Sequence, residues 1–169
     1  KRKRLAEYAS NIKKAFNTSF WVNSSPLSCD RGTFGHYVAW EEKFFDTDVD
    51  FDYFEMDSNT LAVAVGLANA QQRRSVMDFI NEHFDYLVDE HGATRVLCGY
   101  YSDFVTRAKP GHSQNGGYWY LPSYYLVMAL AKDGNTTKVS DVYGRVSRAT
   151  AAFQEKGLPE WFYENGEVG

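Results

Sequence analysis

Two cysteines and four prolines among 169 residues leave little material for a covalent framework or a stiff linker. Cys29 and Cys98 have neither a CxxC pattern nor Cys/His ligand spacing, so no zinc site and no disulfide scaffold is indicated, and two ordinary buried thiols are expected. Basic residues are also in the minority: 18 Lys and Arg against 22 Asp and Glu give a formal net charge of −4. Binding to nucleic-acid phosphates needs clustered Lys and Arg. The one basic run, Lys1-Arg2-Lys3-Arg4, opens an amphipathic segment and reads as its solvated face, so no nucleic-acid partner is expected. Long apolar runs are missing too. The stretches Leu61 to Ala68 and Tyr118 to Ala131 fall short of the ~20 residues that span a bilayer, and no secretory segment opens the chain, so no membrane partner is expected. The absence of GxxxxGK[ST], GxGxxG and GxSxG removes kinase, dinucleotide and serine-nucleophile readings. No metal and no organic cofactor is expected. The compartment is left open, with the cytoplasm slightly favoured.

What is present is core material: 44% hydrophobic and 17% aromatic residues, enough for one globular domain over residues 1–169. Leu5, Tyr8, Ala9, Ile12, Ala15 and Phe16 recur at helical spacing among Lys and Glu, which predicts a helix with one buried face. After a long connection, in which 36–40 and 51–54 read as short strands, Asp57 or Ser58 offers a helix N-cap. The following 61–68 is apolar on every side, as in a helix covered all round. Val76, Phe79, Ile80, Phe84 and Leu87 then mark an amphipathic helix. A second long connection, with a strand at 94–100, leads into 119–132, where Pro122 suits a first turn and Gly134 a C-terminal stop. Val139, Val142, Tyr143, Val146, Thr150 and Phe153 mark a last amphipathic helix over 138–155.

The order is outer, inner, outer, inner, outer, with long outer-to-inner and short inner-to-outer connections. A two-layered ring of helical hairpins satisfies that order, because its inner helices are covered on all sides and its outer ones on one. The expected fold is therefore mainly α, a segment of an α/α-hairpin toroid with short β-strands in the long connections. Those connections share the rim facing the N-termini of the inner helices, and binding groups tend to sit on such connections.

Three stretches carry a family resemblance. Gln114-Asn115-Gly116-Gly117-Tyr118-Trp119, leading into an inner helix stopped by Gly134, resembles the NGG-x-W pattern of six-hairpin glycosidases, especially the neutral or alkaline invertases. Met56-Asp57-Ser58-Asn59-Thr60-Leu61-Ala62, followed by Gly66 and Gln71, is similar to their D-x-N-x-LA helix. Leu158-Pro159-Glu160-Trp161-Phe162, with Asn165-Gly166 and Gly169, looks like the segment in which relatives of the processing α-glucosidase and glycogen-debranching groups carry a catalytic carboxylate. The resemblance implies an (α/α)6 barrel acting on glycosidic bonds, commonly with inversion and without a cofactor. Two hairpins and a partial one make up only part of such a barrel. The chain is therefore expected to be a piece of a larger catalytic domain, completed by its remainder or by self-association.

Inverting hydrolysis needs one protonated and one ionised carboxyl, roughly 6.5–9.5 Å apart. By its match to the family position, Glu160 is the candidate general base, against a reading as an exposed acid in a terminal loop. In the families resembled the acid lies on an earlier hairpin. Within this chain the alternatives are Asp57, which also reads as a helix cap, and Asp103. Sugar rings offer apolar faces and polar edges, so Trp40, Asn115, Tyr118, Trp119 and Trp161 are the candidate substrate-binding residues, with core packing as the other reading of Tyr118 and Trp119. His112 reads as rim polarity or a sugar contact. Adjacent Gly116 and Gly117 permit a positive φ and close approach of the backbone to a neighbour. The expected partner is an oligosaccharide or glycoside. A glycoside hydrolase, a non-catalytic carbohydrate-binding or interaction module, a glycoside phosphorylase and a purely structural helical domain all remain open.

Overall fold

Helices and strands are interspersed along the chain, and the computed structural model describes residues 2–27, 30–38, 53–101, 106–154 and 156–169. Cys29, Trp40 and Asp103 lie outside them, as do the first two residues of the proposed strand at 51–54 and the last two of that at 36–40. The architecture is mainly α. Six helices are described: α1 (Arg2–Phe20), α2 (Met56–Ala64), α3 (Ala70–Glu82), α4 (Phe84–Leu87), α5 (Tyr120–Asp133) and α6 (Thr136–Ala152). The strands are β1 (Trp21–Leu27), β2 (Asp30–Tyr37), β3 (Phe54–Glu55), β4 (Thr94–Arg95), β5 (Leu97–Cys98), β6 (Tyr118–Trp119) and β7 (Trp161–Phe162). No helix is long and apolar enough to cross a membrane among the described residues.

Helices α2 and α5 lie side by side and begin at the same end. β3 runs directly into α2 and β6 directly into α5, and the segment 94–98 is zipped between them: β5 pairs antiparallel with β3, and β4 with β6. Met56 N–H donates to Val96 O at 3.0 Å and Val96 N–H to Gly117 O at 3.0 Å, so one residue stitches the two helix starts together. At the other end Lys132 Nζ donates to Ala64 O at 3.1 Å. The two helices are therefore parallel.

The main core gathers Phe54, Met56, Val63, Val76, Met77, Phe79, Ile80, Leu87, Leu126, Leu130 and Val142 from both of these helices and from α3, α4 and α6. Phe54 stacks on Phe79 with centroids 4.1 Å apart, which ties the start of α2 to α3. Asn69 caps α3 by accepting from Gln71 and Gln72 N–H, and Gln72 reaches back to Asn69 N–H in a complete capping box. Gly134 ends α5 at φ +83, the left-handed C-cap that glycine adopts without a Cβ penalty. The amphipathic segment after Asn69 is broken at His83 into α3 and the single turn α4.

Three expectations are corrected. Cys98 is disulfide-bonded rather than a free thiol. Helix α2 starts one residue before Asp57, with Glu55 in extended conformation at the N-cap and no side-chain cap, so Asp57 sits inside the first turn and caps nothing. Helix α1 fully buries none of its residues: Leu5, Tyr8 and Ile12 are 61%, 49% and 63% exposed, so its apolar stripe is uncovered up to Phe16, which is half-buried against Tyr37. Helices α2 and α5 likewise show an apolar face each, with Leu61 and Val65 at α2 and Leu121, Tyr124 and Met128 on α5.

Candidate active site

The end of the molecule from which α2 and α5 start collects most of the residues singled out by sequence. Asp57 lies in the first turn of α2 next to Glu55, the last residue of β3. Glu55 accepts hydrogen bonds from two hydroxyls, Ser58 at 2.7 Å and Tyr101. Asp57 keeps solvent contact, yet the protein around it removes enough water to push its carboxyl up to about 6, and the Glu55 charge pushes the same way. A carboxyl in that range is part protonated near neutrality, as a proton donor must be.

Glu160 is exposed in the loop that enters β7, and makes no hydrogen bond or ion pair among the described residues. Its neighbour Trp161 pairs with Trp119 across β6 and β7. The two indoles stack, 6.2 Å apart and 14° from parallel, both half-buried. Trp119 is further fixed by its N–H donating to Ser113 O at 3.1 Å. Tyr163 packs edge-on to Trp161 at 4.6 Å. An aromatic surface results, directly ahead of α5.

Asn115 and Tyr118 point inward. Asn115 is 2% exposed; its Oδ1 accepts from Tyr101 N–H at 2.7 Å and its Nδ2 donates to Ala108 O at 2.8 Å, so its amide ties Tyr101 to Ala108. Tyr118 is buried in a small core with Ala93 and Phe162, and its hydroxyl donates to Tyr86 O at 2.8 Å. Asp57 and Trp119 thus lie at the end where α2 and α5 start, Trp161 pairs with Trp119 there and Glu160 precedes Trp161 in the chain, while Asn115 and Tyr118 are buried.

A buried arginine organises this end. Arg95 is completely buried in β4. Its Nη1 lies 2.9 Å from Glu164 Oε1, its Nε donates to Leu97 O at 2.9 Å, and its guanidinium lies over Tyr86 at 4.6 Å. Tyr100 O–H completes the arrangement by donating to Glu164 Oε2 at 3.0 Å. Gly116, at φ +98, comes so close to Arg95 that an added Cβ would sit 3.0 Å from Nη2. Next to Glu164 lies a cavity of about 430 Å³ lined by His112, Tyr163, Glu164, Asn165 and Glu167. His112 packs edge-on to Tyr163 at 4.7 Å.

Sequence reasoning passed over Glu55, Arg95 and Glu164. The available signal was Arg95 itself, the one charge in the otherwise uncharged run 93–98, since a charge inside a strand demands a partner. No cluster of three or more His, Cys, Asp or Glu side chains able to hold a metal occurs among the described residues. Family models do not match the chain, and neither do curated proteins.

Proposed function

We propose that the chain is part of a glycoside hydrolase in which Asp57 protonates the leaving glycosidic oxygen and Glu160 activates water. The observation that carries this reading is the carboxyl of Asp57, raised to about 6 at the start of an inner helix and at the same end as the Trp119–Trp161 surface. Stacked indoles offer the C–H face of a sugar a large apolar contact at little entropic cost, and the exposed Glu160 lies one residue from it. In the proposed reaction the proton passes from Asp57 to the departing oxygen, the C–O bond breaks, and water adds to the anomeric carbon as Glu160 takes its proton. Configuration is inverted.

The same reading makes α2 and α5 two neighbouring inner helices of an (α/α)6 toroid. Their parallel packing, their shared strand-bound starts and their uncovered apolar faces support it. Further hairpins, or a second copy, would then cover Leu61, Val65, Leu121 and Tyr124. A disulfide at Cys98 favours an oxidising compartment. A non-catalytic sugar-binding role is the second reading, favoured because no hydrogen bond orients Glu160 among the described residues.

The test is a panel of aryl glycosides and oligosaccharides assayed with the full-length protein. Asp57→Asn and Glu160→Gln should each lower kcat by at least ~100-fold. Aryl glycosides with good leaving groups should rescue Asp57→Asn selectively, because they need no proton. Full turnover by both variants would remove the hydrolase reading, and binding without turnover in the parent would establish the module instead.

A further inference from the structure

A second concave site lies away from the inner-helix starts, between β1 and the beginning of α3. It is a cavity of about 460 Å³ lined by Trp21, Asn23, Gly35 and, from the α3 side, Asn69, Gln71, Gln72 and Ser75. That volume falls within the roughly 300–1,000 Å³ of small-molecule sites. No lining side chain is ionised. The wall is one indole, and the rest is amides, a hydroxyl and a glycine.

The indole is held firmly. It packs edge-on to Tyr37 at 4.8 Å, and its N–H donates to Asn23 Oδ1 at 2.8 Å. Gly35 lies directly against it, so that a Cβ there would be 2.4 Å from Trp21 Cζ2. Ser75 Oγ clamps that glycine, accepting from its N–H and donating to its C=O, both at 2.9 Å. Any side chain at Gly35 would displace the indole or fill the hollow.

The amides supply unused donors. Gln72 is only 6% exposed. Its Oε1 must accept from Asn69 N–H at 2.9 Å, which fixes the orientation of the amide and leaves Nε2 without a partner among the described residues. Gln72 lines the cavity, so this NH2 group is available to a bound acceptor. Asn69 Oδ1 is occupied by the N–H groups of Gln71 and Gln72, and Asn23 Oδ1 by the indole; the NH2 groups of both are exposed and make no hydrogen bond among the described residues. Three amide donors around one indole are therefore open to oxygen acceptors on a ligand. An anion would call for Lys or Arg, and a metal for carboxylate or imidazole; neither is in the lining. A neutral ligand with several hydroxyls and one apolar face matches the whole set.

We propose that this cavity binds a neutral pyranose unit of a saccharide, with one face of the sugar against Trp21 and its hydroxyl oxygens accepting from Asn23, Asn69 and Gln72. The site is separate from the Asp57 and Glu160 end and does not depend on catalysis there. It would hold a carbohydrate chain on the protein at a second point.

The indole N–H resonances of the four tryptophans in a proton–nitrogen NMR titration provide the test, with Trp21→Phe identifying its own signal. Methyl glycosides of glucose, mannose and galactose are added up to ~0.1 M, enough to fill a site of millimolar Kd. The Trp21 signal should shift saturably with at least one of them and stay still with inorganic phosphate. The variant Asn23→Asp keeps the oxygen that accepts from the Trp21 indole N–H and removes the NH2 donor, and should weaken the Trp21 response about tenfold while leaving any response of Trp119 and Trp161 intact. A Trp21 signal unmoved by every glycoside, or a response of undiminished affinity in Asn23→Asp, overturns the proposal. Shifts confined to Trp119 and Trp161 overturn it while supporting the other end; shifts confined to Trp21 do the reverse.

Discussion

Arg95 and Glu164, 69 residues apart, form an ion pair of 2.9 Å in which the arginine is fully buried and the carboxylate is 43% exposed. The pair closes the C-terminal segment onto β4. Its two members are unequal, because removing the carboxylate strands a charge inside the protein whereas removing the arginine leaves an acid that water can solvate. Glu164→Ala should cost about 2–3 kcal/mol, below the ~3–5 kcal/mol of a fully buried pair since Glu164 is screened by solvent. Arg95→Met, which keeps the length and removes the buried charge, should cost less. Urea unfolding of both variants checks the order. A larger loss in Arg95→Met would mean that packing of the guanidinium on Tyr86 outweighs its pairing.

Cys98 sits in β5 opposite Phe54, so its disulfide acts on the strand pair that delivers the chain into α2. The other cysteine, Cys29, lies outside the described residues. Reduction with dithiothreitol, or Cys98→Ser, should lower stability by about 2–4 kcal/mol. Calorimetric midpoints with and without reductant measure this, and a midpoint that does not respond to reductant would make the bond irrelevant to stability.

Asn59 does the work of a strand for Tyr37. Its Oδ1 accepts from Tyr37 N–H at 2.7 Å, while its Nδ2 donates to Tyr37 O at 2.9 Å and to Glu55 O at 2.7 Å. All of this is buried. Asn59→Ala removes three buried hydrogen bonds to backbone groups and should cost about 3 kcal/mol. Asn59→Ser, which can restore one of the bonds, should cost less, and chemical denaturation separates the two.

Local signals made much of this fold legible. The apolar run ending at Lys132 and the Gly134 stop gave α5 to within a residue, and Asn69 and Gln72 carry a capping pattern that needs no tertiary partner. The parallel placement of α2 and α5 was implied by the lengths of the connections. The start of α2 was not legible, because it is set by Val96 and Tyr37, residues distant in sequence that pair with Met56 and Asn59. The α1 stripe misled for the converse reason: periodicity reports a face able to be buried, and whether anything covers it is a tertiary fact. At the candidate site, Trp119 and Trp161 were named separately, and only the β6–β7 register stacks them. Asn115 and Tyr118 have the composition of a sugar site, but their polar atoms are turned to the backbone. Arg95 and Glu164 were missed because each is ordinary in its own segment, and only the fold joins them.

The raised carboxyl of Asp57 links stability to the proposed chemistry. Its folded value of about 6 stands above the ordinary 3.8, so the folded protein binds this proton more tightly than the unfolded chain does. The resulting stability is fully present below 3.8 and is lost as pH rises through about 6. Asp57→Asn removes that slope. At about pH 7 the variant should exceed the parent by ~1 kcal/mol, a midpoint gain of roughly 2–4 °C after allowance for solvent screening, and below about pH 3.5 the two should coincide. Glu55→Gln should narrow the difference without abolishing it, because desolvation is the larger cause and the Glu55 charge the smaller. Scanning calorimetry across this range reads both effects. A residue whose replacement stabilises the fold while turnover falls is held in an unfavourable environment for its function. Equal midpoints for Asp57→Asn and the parent at neutral pH would show that the carboxyl ionises freely, and Asp57 would then have no claim to be the acid.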